Sequence, residues 1–253
     1  MITSFPKSAR TALLLAGVAV TALITSGAAS AQDESFNASQ KEEIESVIQN
    51  YLMENPEIIA DAMNELRAKQ EREMQEQAKA KLEEYKDFFQ TAEVPVAGNP
   101  EGDVTVVEFF DYNCGYCKKA LPDVQALLEQ DENVRVVLMD MPILGPSSLT
   151  ASKFALAAKK QDKYFEYHTA LMEFQGSKDE AALKKLATDI GLDAEKLAED
   201  AQDPAIADMI NENISIAQEI GIRGTPGFIV GDELYRGYIG EDALIQSVKD
   251  QRG

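Results

Sequence analysis

Hydrophobic positions along the chain fall into unlike regimes. Over residues 39–90 they recur at helical spacing: Ile44, Val47, Ile48, Tyr51 and Leu52 predict one amphipathic helix. Ser39 with Glu42 fits a capping box at its start. Asn55-Pro56 interrupts the pattern as an N-cap followed by proline at the first helical position. A second helix then places Ile59, Met63, Leu66, Met74, Ala78, Leu82, Tyr85 and Phe89 on one stripe. Gln70 falls on that stripe, and Arg67 to Lys81 is densely charged. So thin an apolar face buries little by itself. It suits either a solvated lead-in that touches a core at its end or, the favoured reading, a helix that pairs with copies of itself.

From Val104 the period changes. Val104 to Phe110 is a compact β-branched and aromatic run, predicting a buried strand after the turn-rich stretch Pro95 to Gly102. Cys114 to Glu129 reads as a helix, with Leu121, Val124, Leu127 and Leu128 on one side, and Val134 to Met139 as a second strand. That is β-α-β within about 35 residues, the size of a parallel crossover unit. Residues 147–220 are helical in pattern, with Ser177/Glu180, Asp193 and Asp203-Pro204 as helix starts. Strands resume at Phe228 to Val230 and Leu234 to Tyr238, joined by the turn Gly231-Asp232. A last helix opens at Gly240-Glu241-Asp242 and ends near Gln251.

The head of the chain is different again. Lys7 and Arg10 precede an uncharged run, Thr11 to Gln32, with an apolar core from Ala12 to Ile24 and the small residues Ala29-Ser30-Ala31 at its end. This predicts a cleaved secretory signal over 1–31 and a mature chain in the bacterial periplasm or cell envelope. The other reading is an uncleaved anchor, since the run is nearly long enough to span a membrane. Its Ala, Gly, Thr and Ser content argues against that. No cysteine lies near the junction, which excludes a lipid-anchored Cys.

The full chain carries 24 Lys+Arg and 44 Asp+Glu, a net charge of −20. Loss of Lys7 and Arg10 with the signal would take it to −22. Such a surface repels phosphate backbones and offers nothing to anionic lipid, so nucleic acid is excluded as a partner class.

Only two cysteines are present, Cys114 and Cys117. An exported protein meets an oxidising compartment, yet this pair closes almost no loop and would stabilise little. Chemistry is the better reason for it. The pair is placed where a strand ends and a helix begins. A cysteine there, exposed in the first turn, faces unsatisfied N–H groups and the positive end of the helix dipole, both of which favour the nucleophilic thiolate. The second cysteine lies one turn along the same face, within bridging reach. Cys114 is thus the expected nucleophile and Cys117 the resolving thiol. C-x-x-C alone is a weak signal. A zinc site would need more ligands, and the single histidine, His168, sits among Tyr164, Phe165 and Tyr167 as a packed helix residue. An inert local disulfide is the remaining bland reading. No metal and no cofactor beyond the redox-active Cys114–Cys117 disulfide is expected.

With Glu108 to Cys117, the helical insert and Gly224-Thr225-Pro226 in view, the chain from about 94 to 250 resembles the DsbA-like branch of thioredoxin-fold proteins. Within it the chain is similar to proteins of the suppressor of copper sensitivity protein C type, which carry an extra N-terminal oligomerising helix. The resemblance implies an α/β thioredoxin fold with an inserted helical domain, about 147–220, inside a catalytic domain at 93–250. It also implies an N-terminal helical oligomerisation segment at 32–92, and a homo-oligomer, a trimer by preference. It makes Thr225-Pro226 the cis-proline dipeptide facing the disulfide, although the residues alone fit a trans proline at a strand start equally well. A cis X-Pro turn would expose backbone to which an extended substrate can hydrogen-bond. The resemblance places Glu108 as a buried acid beneath Cys117, able to accept or donate its proton. Its apolar neighbours Val106, Val107, Phe109 and Phe110 favour burial over the solvated side of a strand.

Gly115-Tyr116, between the cysteines, replaces the Pro-His pair of strongly oxidising relatives, so the Cys114 thiolate is expected to be less stabilised and the disulfide less oxidising. Together with Thr225 and Pro226 these residues are the expected substrate contacts. The expected activity is a thiol–disulfide oxidoreductase forming or isomerising disulfides in exported, cysteine-containing proteins, served by a membrane redox partner of unknown identity. A reductase of envelope or metal-handling proteins is the alternative within the class. An oligomeric envelope chaperone or surface antigen with an idle disulfide is the alternative outside it.

Overall fold

The computed structural model describes residues 36–91 and 93–253, so the signal-type segment read at 1–31 lies outside the described residues. The chain divides into two compact units at Ala60/Asp61. In the first, helix α1 (Ala38–Glu54) starts two residues earlier than the Ser39/Glu42 box predicts. Asn37 is extended, accepts the Gln40 N–H and donates its own N–H to the Gln40 side chain, both at 3.0 Å. The capping box is therefore Asn37/Gln40, and Ser39 lies inside the first turn. No residue of α1 is buried, and Val47 is 68% exposed. Asn55 closes the helix by donating both its backbone N–H and its side-chain amide to the Tyr51 carbonyl. Pro56, with no N–H to leave unpaired, then leads into α2 (Glu57–Thr91).

The second unit holds the rest of α2. The single stripe read from the sequence splits there: Ala78, Leu82 and Phe89 are buried, whereas Leu66 and Met74 are exposed. The C-terminal turns of α2 thus belong to the core of the second unit. The 32–92 segment read from the sequence does not coincide with the first unit. Arg135, itself buried, donates to the carbonyls of Phe89 and Gln90 and satisfies the end of the helix.

After α2 come β1 (Val96–Gly98), β2 (Val104–Phe110), α3 (Gly115–Gln130) and β3 (Val134–Asp140). The insert follows: α4 (Pro146–Ala158), a 3-10 turn at Lys159–Gln161, α5 (Tyr164–Glu173), α6 (Glu180–Asp189), α7 (Ala194–Asp200) and α8 (Pro204–Glu219). Then β4 (Gly227–Val230), β5 (Glu233–Tyr235) and α9 (Glu241–Asp250) complete the thioredoxin-type order. Asp179, not Ser177, caps α6, accepting the Ala182 N–H. The last strand is shorter than the Leu234 to Tyr238 run predicts.

The five strands lie in the order β1-β3-β2-β4-β5. β2 and β3 are parallel, and the other pairs are antiparallel. Alternation along β2 divides the core. Val106 and Phe110 face α3 and most of the insert. Val107 and Phe109 face the end of α2 and the end of α8, through Leu82, Phe89, Ile216 and Ile220. Burial of Leu82 and Phe89 contributes roughly 2 kcal/mol each.

β1 is a strand where the sequence predicts only a turn-rich boundary. Three residues flanked by Pro95 make a weak β signal, but as an edge strand they need only one partner, and Val96 pairs with Val137. Gly98 has φ of +75°, and a Cβ there would stand 2.5 Å from both the Leu128 side chain and the Val134 carbonyl. Gly98→Ala is expected to destabilise the protein by about 1–3 kcal/mol. Urea unfolding followed by circular dichroism checks this. An unchanged midpoint would show that β1 does not hold its register through Gly98.

Candidate functional site

Strand β2 runs through the middle of the sheet and delivers the chain into α3. The turn between them is tied down by Asp111. Its buried carboxylate accepts the Asn113 N–H at 2.7 Å, the Ser148 hydroxyl at 2.7 Å and the Leu144 N–H at 2.9 Å. These bonds join the turn to the loop and helix that begin the insert. Nothing in the sequence pattern singled out Asp111. Its signal is local: an Asp two residues before an Asn whose N–H it can bond.

Cys114 is the N-cap of α3, so the helix itself begins at Gly115, one residue after the predicted start. Its sulfur accepts the Cys117 N–H at 3.4 Å and donates to the Thr225 carbonyl at 3.2 Å. It is 7% exposed rather than open to solvent, as the sequence reading had it, and Cys117 is 1% exposed. Both are free thiols. The two sulfurs are unequal: one stands at the positive end of a helix with an N–H aimed at it, the other under the first turn. Burial pushes the Cys117 thiol far above the ordinary thiol range, and the nearby Glu108 and Cys114 add to the push.

Gly115 opens the helix with nothing within 4 Å of where a Cβ would stand. Tyr116 projects outward, 63% exposed, with its ring 6.1 Å from that of Tyr238. The Lys119 ammonium lies 4.5 Å from the Tyr238 ring centre. On the other side of the sulfur, the Thr225-Pro226 peptide is cis and Pro226 is buried. Helix α3, residues 224–226 and the α3-facing side of β2 thus bring Cys114, Cys117, Thr225 and Pro226 together.

Glu108 is 2% exposed and, by the alternation of β2, faces the same side as Val106 and Phe110, the side covered by α3. Burial raises its carboxyl to about 8, with the Asp123 carboxylate adding to the effect. Asp123, on α3, was not picked out from the sequence, and one of its oxygens is buried without a hydrogen-bond partner.

Behind the site is a buried polar cluster. Tyr112 bonds His168 Nδ1 at 3.1 Å, and Tyr164 donates to Asp140 at 2.8 Å. Burial lowers His168 to about 3, so it is a neutral ring packed among Phe110, Tyr164 and Phe165.

The shift on Glu108 has a stability consequence. The folded protein holds this proton up to about pH 8, and the unfolded chain releases it near 4.5. Stability from the neutral acid is therefore complete below pH 4.5 and declines as pH rises toward 8. Glu108→Gln removes the titration. The stability gap between variant and wild type is expected to move in favour of Gln by up to about 1.4 kcal/mol per pH unit across that window. Denaturant unfolding of the reduced protein at pH 5, 6.5 and 8 measures it, and a gap independent of pH would show that Glu108 does not titrate there.

Known families match both parts of the chain. A DSBA-like thioredoxin domain matches residues 105–249, and the copper resistance protein ScsC N-terminal domain matches residues 40–73. A thioredoxin-like oxidoreductase from Silicibacter pomeroyi is 44% identical with a TM-score of 0.63, over 65% of this chain and 95% of that one. The thiol-disulfide exchange protein alpha-DsbA2 from Wolbachia pipientis is 32% identical with a TM-score of 0.65, over 69% and 95%. Proteus mirabilis ScsC in a transitional conformation is 29% identical with a TM-score of 0.62, over 86% and 97%. Among curated relatives the chain spans only 24% of a much longer Na(+)/H(+) antiporter of Salinispora arenicola, 34% identical over 155 residues. With a parallel β-α-β core, a C-x-x-C pair capping the intervening helix, a facing Thr-Pro and a helical insert, the chain belongs to the DsbA-like thioredoxin-domain family, and its N-terminal segment matches that of ScsC.

Proposed function

We propose that this protein exchanges thiols and disulfides in exported proteins of the bacterial envelope, and that it isomerises disulfides as a homo-oligomer. The observation that carries the reading is the Cys114 sulfur held between the Cys117 N–H and the Thr225 carbonyl. In the reduced state Cys114 attacks one sulfur of a substrate disulfide; the other substrate sulfur leaves as a thiolate. A mixed disulfide between Cys114 and the substrate results. If a different substrate thiolate then attacks, the substrate disulfide is re-formed elsewhere and Cys114 returns as a thiolate, with no net oxidation. If Cys117 attacks Cys114 instead, its proton passes to Glu108, the second substrate sulfur leaves as a thiolate, and two electrons pass to the substrate. Run backward, the same steps oxidise a substrate dithiol.

Location in the envelope is supported by the signal-type pattern at 1–31, and no helix among the described residues is long and apolar enough to cross a membrane. Self-association is supported by the first unit. Ile44, Val47, Ile48, Tyr51 and Met53 stand 39–77% exposed. So many apolar side chains on one short helix are a docking face. Several sites on one assembly would raise the effective concentration of active cysteines around a misfolded chain.

The thiol assignment is tested by insulin reduction in dithiothreitol. Wild type is expected to accelerate it and Cys114→Ala to abolish the acceleration, while iodoacetamide modifies Cys114 much faster than Cys117 in the reduced protein. Equal alkylation of the two thiols would remove Cys114 from the nucleophile role. The assembly is tested by light scattering of the mature chain and of a form lacking residues 32–60, which keeps the core turns of α2. The mature chain is expected to be oligomeric, most simply trimeric. The shortened form is expected to be monomeric, active on dithiothreitol, and at least several-fold poorer at refolding scrambled ribonuclease. A monomeric mature chain would end the oligomer reading, and full refolding activity in the shortened form would end the isomerase argument.

A further inference from the structure

Beside Thr225 and Pro226 a cavity of about 610 Å³ opens between the middle of α2 and the segment that follows α8. It belongs wholly to the second unit. Met74 and Ala78 of α2 and Ile222 line it, as do Arg223, Thr225 and Arg236. Thr225 is the residue whose carbonyl meets the Cys114 sulfur at 3.2 Å, so the cavity continues the reactive site rather than standing apart from it. Three features bear on what fits there. Met74 is 52% exposed, although it shares a stripe with the buried Ala78 and Leu82, so it offers an apolar wall with nothing on it. Among the described residues, the backbone N–H groups of residues 223–225 donate to no acceptor, as on a strand edge awaiting a partner.

The third feature is charge. Among the described residues, nine of the 22 Lys and Arg side chains form an ion pair with a carboxylate. Neither Arg223 nor Arg236 has a carboxylate partner among the described residues. Arg236 is held in place instead, its Nε donating to the Gly221 carbonyl at 3.0 Å, which leaves its outer N–H groups free. The acid Glu219 at this cavity is already engaged by Tyr85 at 2.8 Å and by Lys81 at 3.4 Å. One acid, Glu71, therefore stands against two arginines.

We propose that this groove is a substrate subsite: it takes the extended stretch of polypeptide adjoining the reacting cysteine and favours a stretch with an apolar residue and acidic residues. The main chain of that stretch bonds the free N–H groups of 223–225, its apolar side chain packs on Met74 and Ile222, and its carboxylates meet Arg223 and Arg236. The inference rests on Cys114 being the nucleophile.

The test uses the full mature chain with Cys114–Cys117 oxidised, and dithiol peptides of equal length whose flanks are Asp-Leu, Lys-Leu or Asp-Ser. In a single turnover each peptide loses two electrons and two protons to the protein disulfide, and acid quenching follows the rate. The chain's net negative charge acts on the peptides at long range. The informative quantity is therefore the ratio of Asp-Leu to Lys-Leu rates, compared among variants of equal net charge. Arg223→Gln with Arg236→Gln is expected to lower that ratio roughly three- to ten-fold. It should do so relative to Lys185→Gln with Lys249→Gln, which makes the same charge change outside the groove. Met74→Gln is expected to narrow the Asp-Leu over Asp-Ser preference. An equal ratio in the two double variants, or no change of preference in Met74→Gln, overturns the subsite. A change in oligomeric mass of the arginine variant with the ratio unaltered would mean a second copy fills the groove, which also overturns it. Failure of the oxidised wild type to oxidise any peptide would instead defeat the thiol-exchange reading, and the subsite with it.

Discussion

The Thr225 carbonyl stands 3.2 Å from the Cys114 sulfur, although the two residues are 111 positions apart in the chain. Holding that contact is the constraint on which the site depends. From the Cys114 side it needs a rigid exit from β2. Asp111 supplies it by fastening the turn to Leu144 and Ser148, where the insert starts. From the Thr225 side it needs the end of α8 to feed a tight loop back onto the sheet. Gly227 allows that, because a Cβ there would lie 2.7 Å from the Ile222 side chain. β4 then pairs with β2 itself, Phe228 opposite Glu108, so the two halves of the site share a strand pair. The insert therefore spans the site, bonded to the β2–α3 turn near its start and leading into the Thr225 loop at its end.

The polar groups behind the site follow from the same placement. Tyr112 leaves β2 buried, and a buried hydroxyl needs a partner. His168 of α5 provides it, at the cost of its own charge. Asp140, at the end of β3, is raised to about 7 by burial but is bonded by Tyr164. The result fixes α5 of the insert against the strand ends through directional bonds where apolar packing alone would let it slide.

The parts of this molecule with a strong local period were readable from the sequence. Val104 to Phe110, the C-x-x-C helix and the two Asp-capped helices at Asp193 and Asp203 stand where their patterns place them. What was not readable depends on partners distant in sequence. β1 is three residues long and gains its strand character from β3, where Val96 pairs with the distant Val137. The α2 stripe has a uniform period, yet Ala78, Leu82 and Phe89 are buried while Leu66 and Met74 stand more than half exposed; periodicity reports a face, not what covers it. Asp111 and Asp123 are short acids in a sequence full of acids, and only the fold makes one the anchor of a turn and buries an oxygen of the other near Glu108. The burial of Cys114 is of the same kind: its sulfur meets the carbonyl of Thr225, a residue distant in sequence.

The inequality of the two sulfurs bears on which reaction the site favours. Cys117 is covered and its thiol resists ionisation; on the roles proposed for the two thiols, exchange with another protein passes through Cys114 and Cys117 acts within the chain. Its entry requires a base. On the role proposed for Glu108, a carboxyl raised to about 8 is ionised only about one time in ten at pH 7, so the proton acceptor is usually unavailable near neutrality. The intramolecular escape is then slowed, and a mixed disulfide on Cys114 persists longer. A long-lived mixed disulfide gives the substrate's own thiols time to attack, and that attack is rearrangement rather than net transfer of electrons. On that role, the depth of burial at one strand position, Glu108, would weigh toward the proposed isomerisation without any change in the residues that touch the substrate.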